Sequence, residues 1–303
     1  MEAARPKGRF AEMPFADRLF ARVGATGSRL VIGLDPVLAR LPAAVRRDEP
    51  EESLVAFAIG ILEAAGDLAA AVKSQAAYYE RHGWRGWRAL ERTCAAAAER
   101  GIPVILDAKR GDIGATAAAC AEGLLGDLPG SLGASVDALT VNPYLGTDSL
   151  EPFLERARSA GRGLFVLART SNPGGAEFQG HGPAGRPLYL EVARAVARWE
   201  AGTIGASGYG AIGLVAGATF PAELAEIRAA APHAPLLIPG IGAQGGDPAE
   251  LSVAFDAHGF GAVVNSSREV IFAAESRPGV DWQEAVRDAA ERTRDRLTAA
   301  LPR

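Results

Sequence analysis

Ile105-Leu106-Asp107-Ala108-Lys109-Arg110-Gly111-Asp112-Ile113-Gly114-Ala115-Thr116 is the stretch on which the reading of this chain turns. An apolar strand beginning at Pro103 runs out here into a charged cluster, and a small-residue turn leads on into a helix. Residues two apart on a strand share a face, so Asp107 and Lys109 should project together from its end. Asp112 lies on the turn beyond. Carboxylates on both sides of an ammonium keep it protonated in a pocket whose burial would favour the neutral amine. Such a lysine can give up a proton on demand. The plain alternative is a solvated salt-bridge turn, and ionisable groups on neighbouring strand ends weigh against it.

Working outward, brief apolar runs alternate with longer segments rich in Ala, Leu, Glu and Arg. The spacing predicts strands at Leu30–Asp35, Ala70–Gln75, Pro103–Lys109, Ala138–Tyr144, Gly163–Thr170, Ala211–Ala218, Pro235–Ile241 and Gly261–Ser267. The runs are nearly continuous in apolar residues, as parallel strands covered on both faces require. Helices are expected at Glu51–Leu68, Tyr78–Arg100, Thr116–Leu125, Asp148–Ser159, Leu188–Glu200, Ala222–Ala231, Ala249–His258 and from Trp282 to about Ala300, after a short amphipathic segment around Pro14 to Val23. Eight βα units argue for an α/β fold of the (β/α)8 TIM-barrel type. No linker or composition shift divides it, so residues 1–303 are read as one domain with a short N-terminal helical extension.

In such a barrel the functional residues gather at the C-terminal strand ends. Asp35, Lys73, Asp107 with Lys109, Asn142-Pro143-Tyr144 and Thr170-Ser171-Asn172 all fall there. Lys73 lies inside an apolar strand, where its charge needs carboxylate partners, and Asp107 and Asp35 are the candidates. A lysine snorkelling to the barrel mouth is the plainer reading. Gly240, Gly242, Gly245 and Gly246 after the seventh strand, with Arg268 after the eighth, suit a phosphate site built from backbone amides and a bidentate guanidinium. Loop glycines and a surface arginine are the alternative. The Gly- and Pro-rich segment Ser171–Pro187 is long for a βα loop and reads as a lid or as decoration. His82, His181, His233 and His258 lack an acid–base partner at catalytic spacing, and Trp84 and Trp87 read as packing residues.

The net charge of −4, from 32 basic and 36 acidic residues scattered along the chain, suggests neither a nucleic-acid surface nor a membrane-binding helix. Cys94 and Cys120 have no metal-ligand spacing and read as small core residues in a reducing compartment. Met1 to Phe15 has no apolar core of signal-peptide length, and no run is long enough to span a bilayer, so the expectation is a cytoplasmic protein.

With these residues placed, the chain resembles the orotidine 5′-phosphate decarboxylase family, in its longer bacterial, mycobacterial-type branch. Asp107-Ala108-Lys109-Arg110-Gly111-Asp112-Ile113-Gly114-Ala115-Thr116 is similar to the family's Asp-x-Lys-x-x-Asp-Ile-Gly-x-Thr signature. The likeness extends to Leu34-Asp35-Pro36, Lys73, Ile238-Pro239-Gly240-Ile241-Gly242 and Arg268. Related barrels, the 3-keto-L-gulonate 6-phosphate decarboxylases and hexulose-phosphate synthases, resemble the Asp-x-Lys-x-x-Asp core but use Mg²⁺ and carry an acidic residue where this chain has Lys73. The resemblance therefore implies metal-free and cofactor-free decarboxylation of orotidine 5′-phosphate to uridine 5′-phosphate, with Lys109 stabilising and protonating a C6 carbanion.

It further implies that Asp107 holds Lys109 and Lys73 in an alternating charge network. Asp112 and Thr116 would reach the neighbouring subunit's site in a homodimer. Asp35 and Lys73 would contact the ribose, Thr170 or Ser171 the pyrimidine, and Arg268 the phosphate. In many relatives a glutamine well along the loop after the seventh strand grips the phosphate. Here that loop is short, and Gln244 is the available candidate. Two rival readings are a nucleotide-binding barrel without turnover and a Schiff-base aldolase on Lys109, although flanking carboxylates leave that amine protonated and poorly nucleophilic.

Overall fold

A computed structural model describes residues 13–128, 130–182, 185–217, 221–240 and 248–301. Strands Leu30–Gly33 (β1), Ala71–Gln75 (β2), Val104–Arg110 (β3), Ala138–Val141 (β4), Gly163–Arg169 (β5), Ile212–Ala216 (β6), Leu236–Pro239 (β7) and Ala262–Ser266 (β8) pair in parallel in chain order. β8 returns to β1, with Leu30 opposite Val264, so the sheet closes into the expected (β/α)8 barrel. Around it run Pro50–Ala65 (α2), Ala77–Glu80 (α3), Gly83–Glu99 (α4), Gly114–Leu125 (α5), Thr147–Ser159 (α6), Ala176–Gln179 (α7), Leu188–Trp199 (α8), Pro221–Ala230 (α9), Arg268–Ile271 (α10) and Trp282–Ala299 (α11), preceded by Phe15–Thr26 (α1).

Each strand is buried on both faces, which is why the runs are continuously apolar. Ile32, Val72, Leu106, Leu139 and Leu214 pack outward with helix residues such as Leu54, Phe57 and Leu90. Val31, Ala71, Ile105, Ala138, Phe165, Val215 and Val263 pack on the other face with Phe15, Leu19 and Phe20 of α1. The amphipathic opening segment thus closes the N-terminal end of the barrel. Phe15 meets Phe165 edge-on at 5.8 Å, and burying each such ring contributes roughly 1.5–3 kcal/mol. Polar anchors complete the plug: Arg18 pairs with Asp137 at 2.7 Å, and Asp17 accepts the N–H groups of Ala206 and Ser207. Gly163 must lack a side chain, since a Cβ would lie 2.2 Å from the Phe15 ring.

Three local expectations are corrected. The single helix expected over Tyr78–Arg100 breaks into α3 and α4 at Gly83, whose φ of +63° lies in the left-handed region that glycine tolerates. Pro248–Ala254 forms a 3-10 run, where an α-helix over Ala249–His258 was expected. Trp87 packs against the core, but Trp84, three residues earlier, is 64% exposed beside Arg85. The buried stripe of α4 runs through Gly86, Ala89, Leu90, Thr93, Cys94 and Ala97, and Trp84 lies off it. No described helix is long and apolar enough to cross a membrane.

Candidate active site

With its base plugged by α1, the barrel offers its other end, where β2, β3 and β4 bring four side chains onto one carboxylate. Asp107 Oδ1 accepts the Lys109 ammonium at 2.6 Å and the Thr140 hydroxyl at 2.9 Å. Its Oδ2 accepts the Lys73 ammonium at 2.9 Å and the Gln75 side-chain amide at 3.1 Å. The parallel register sets this up by placing Gln75 beside Asp107 and Lys73 beside Ile105.

Lys109 reaches Asp107 by a route that strand alternation does not supply. Leu106 pairs with Leu139 and Arg110 with Val141, so residues 107–109 of β3 stand against Thr140 alone. This bulge turns the chain at Lys109, the one non-glycine residue with positive φ (48°) among the described residues. A non-glycine residue there costs roughly 1–3 kcal/mol, and such strain clusters at functional sites. The expected pairing of Asp107 with Lys109 is present, but the bulge makes it.

Burial alone would push the Asp107 carboxyl up. The ammonium groups of Lys73 and Lys109 and their hydrogen bonds outweigh burial and hold it at about 2. Lys73 is nearly closed to solvent, and burial opposes its charge. The carboxylates of Asp35 and Asp107 reverse this and raise its pKa above the ordinary lysine value. Asp35 acts through space: its Oδ1 accepts the backbone N–H of Gln75 at 3.3 Å, and no described ion pair joins it to Lys73. The direct partner of Lys73 is Asp107.

Asp112 stands apart from this cluster. Its Oδ1 accepts the N–H of Ile113 at 2.8 Å, and among the described residues it makes no ion pair. The loop that carries it lies along the β4–α6 loop, where Asn142 N–H donates to the Arg110 carbonyl. Ile113, Tyr144 and Leu145 are exposed on this rim, and so is Thr116 on the first turn of α5.

Across the mouth, Thr170 is engaged by its own loop. Its N–H donates to Gln179 Oε1 at 2.9 Å and its hydroxyl to Asn172 Oδ1 at 2.6 Å, with Gln179 Nε2 donating back to the hydroxyl. The Ser171 hydroxyl is half-buried and has no such partner among the described residues. Gln179 therefore ties the Ser171–Pro187 segment to the end of β5. Arg268 opens α10 beyond β8 and is exposed, without an ion pair among the described residues. Beside it Asn265 is buried, with Nδ2 on Ser267 Oγ at 3.1 Å and no described partner for Oδ1. Gly240, the residue after β7, has φ +66°. Gly242, Gln244, Gly245 and Gly246 lie outside the described residues.

Gln75 and Thr140 are the cluster members that sequence reasoning missed. Gln75 had a usable signal, being two residues past Lys73 on the same strand face. Thr140 had none, because its role depends on the bulge. Among the described residues, no three His, Cys, Asp or Glu side chains gather to hold a metal ion. Cys94 and Cys120 are both free.

The sequence profile of the Orotidine 5'-phosphate decarboxylase / HUMPS family matches residues 28–281. A protein named Orotidine 5'-phosphate decarboxylase from Rhodopirellula baltica is 42% identical over 299 residues, covering 94% of this chain and 99% of its own. One of the same name from Halobacterium salinarum is 46% identical over 288 residues, covering 94% and 98%. The structure of Leishmania donovani OMP decarboxylase superposes with a TM-score of 0.76 at 35% identity, covering 95% of this chain and 98% of that one. The matched span runs from before β1 to beyond β8, and this enzyme belongs to the orotidine 5′-phosphate decarboxylase / HUMPS family.

Proposed function

We propose that the chain converts orotidine 5′-phosphate to uridine 5′-phosphate and CO2 without a metal or cofactor. The observation that carries this reading is the alternation of Lys73, Asp107 and Lys109, with both ammonium groups on one carboxylate at 2.9 and 2.6 Å. An acidic side chain at position 73 would leave Asp107 free to share a metal ion, whereas the lysine fills that place with its own positive charge.

In the proposed step the bond between C6 and the carboxylate carbon breaks and CO2 leaves. The electron pair stays on C6 in the plane of the ring, where it cannot delocalise into the π system. The Lys109 ammonium faces that developing charge and then donates its proton to C6. Asp107 stays an ionised partner to both lysines, whose ammonium groups hold its carboxyl well below the usual carboxylate range. Lys109 regains a proton from solvent, which its side chain reaches at 44% exposure.

The remaining roles are those that the family resemblance implies. Asp35 and Lys73 take the ribose and Ser171 or Thr170 the pyrimidine. Arg268, with the loop containing Gly242 and Gln244, takes the phosphate. Binding the remote phosphate can then be used to order the charged network. A homodimer with shared sites completes the reading. Ile113, 59% exposed, and Tyr144, 77% exposed, form an apolar rim around the mouth, and Asp112 and Thr116 on that rim reach the partner's site.

The deciding experiment follows loss of the orotate chromophore in chelator-treated protein, for the wild type and Lys109→Ala side by side. Turnover by the wild type and a fall of at least roughly 1,000-fold in the variant are expected, the scale of a lost proton donor. Activity abolished by chelator and restored by Mg²⁺, or an alanine variant at wild-type rate, overturns the reading.

A further inference from the structure

Thr140 is 1% exposed on β4, and its hydroxyl is bonded on both sides. It accepts the Lys109 backbone N–H at 2.9 Å and donates to Asp107 Oδ1 at 2.9 Å. The same Oδ1 receives the Lys109 ammonium at 2.6 Å. A closed circuit thus runs from the Lys109 backbone through Thr140 and Asp107 to the far end of the Lys109 side chain. A hydroxyl suits the post because it can accept and donate at once.

The circuit matters because little else locates the ammonium. The Lys109 side chain is 44% exposed, so protein walls do not hold it, and a lysine charge is a compact point on a flexible stem. Attraction to Asp107 sets a distance but not a direction. Direction comes from the Lys109 backbone, which is held in the left-handed region at φ 48°. In the bulge, Thr140 is the β4 residue that faces residues 107–109, and its hydroxyl takes the N–H that this conformation presents.

We propose that Thr140 is a positioning residue for the decarboxylation, its hydroxyl fixing the bulged backbone at Lys109 and so the point at which the ammonium meets C6. The proposal rests on the decarboxylase reading above. Position is decisive for such a step, since a misplacement of about 1 Å can cost roughly 100-fold in rate.

The test compares Thr140→Val, nearly the same shape without the hydroxyl, with Thr140→Ser, which keeps it. The valine variant should lose roughly 30–100-fold in kcat while KM and uridine 5′-phosphate binding stay within about 3-fold of wild type. The serine variant should recover most of the lost rate. Thr140→Ala carries the same expectation as valine and decides the matter if the valine variant does not fold. Wild-type kcat without the hydroxyl overturns the proposal, and so does a serine variant as slow as valine. A wild type that binds uridine 5′-phosphate but does not decarboxylate its substrate overturns the underlying reading instead, so the two failures are distinguishable.

Discussion

The Lys73 ammonium and the Asp107 carboxylate form a 2.9 Å ion pair that is almost closed to solvent, with side chains 7% and 11% exposed. A buried pair of this kind is costly to break from one side, because the remaining charge is left without compensation. Here two ammonium groups would be left against a neutral partner.

Asp107→Asn should therefore cost about 3–5 kcal/mol of folding stability, read by urea unfolding at neutral pH, as well as turnover. The same carboxylate sets an acid limb. Its folded pKa of about 2 lies below the reference 3.8, so its contribution is complete above the reference value and is lost as pH falls from about 4 through about 2. The wild type should lose about 2 kcal/mol over that window relative to Asp107→Asn. Parallel acid profiles for the two proteins would show that the carboxylate is not held down by its lysines.

Glu200 behaves in the opposite sense. It is 2% exposed, and its Oε2 has no described hydrogen-bond partner. Burial pushes the carboxyl up to about 7, against the opposing pull of Arg228. The folded state then holds a proton that the unfolded state has released, so stability falls as pH rises from about 4.5 to about 7. Glu200→Gln, which imitates the protonated form, should gain about 1–3 kcal/mol over wild type at pH 8 and nothing at pH 4. A difference that does not change with pH would rule out this titration.

The proposed sharing of sites between subunits is tested with mixed chains. Lys73→Ala and Asp112→Ala should each be inactive, but a heterodimer of the two carries one intact site. Equal mixing with subunit exchange should restore about a quarter of wild-type activity, as random pairing in a two-fold dimer requires. Exchange shown by labelled subunits without recovered turnover would count against Asp112 serving the partner.

Ser171, whose hydroxyl has no partner among the described residues, is the better candidate of the pair for the pyrimidine, since Thr170 is committed to Gln179 and Asn172. Ser171→Ala should lower kcat/KM about 10-fold with unchanged stability, the scale of one lost hydrogen bond. An unchanged kcat/KM would move that contact elsewhere.

The barrel was legible in the sequence because its signal is local. Eight runs such as Leu30-Val31-Ile32 and Val104-Ile105-Leu106 are apolar on both faces, and that happens when helices cover a parallel sheet from outside and a packed interior fills it from within. The charges at Asp35, Lys73, Asp107 and Lys109 were legible for a related reason: each breaks an apolar pattern at the end where a barrel puts its site. Less was legible where backbone geometry departs from the regular element, as at Gly83, where a helix expected to be continuous splits in two.

By itself, then, the sequence determined the eight strands, their order and the identity of the charged residues, since hydrophobic periodicity and unpaired charge act within a few residues. How those charges are held depends on contacts that form only when distant strands pair. Thr140 lies 31 residues from Lys109 and 33 from Asp107, and Gln75 lies 32 residues from Asp107. The register shift that joins Thr140 to Lys109 exists only once β3 and β4 are paired. Asp112, which brackets the lysine in the linear sequence, is bonded instead to the Ile113 N–H and makes no ion pair among the described residues.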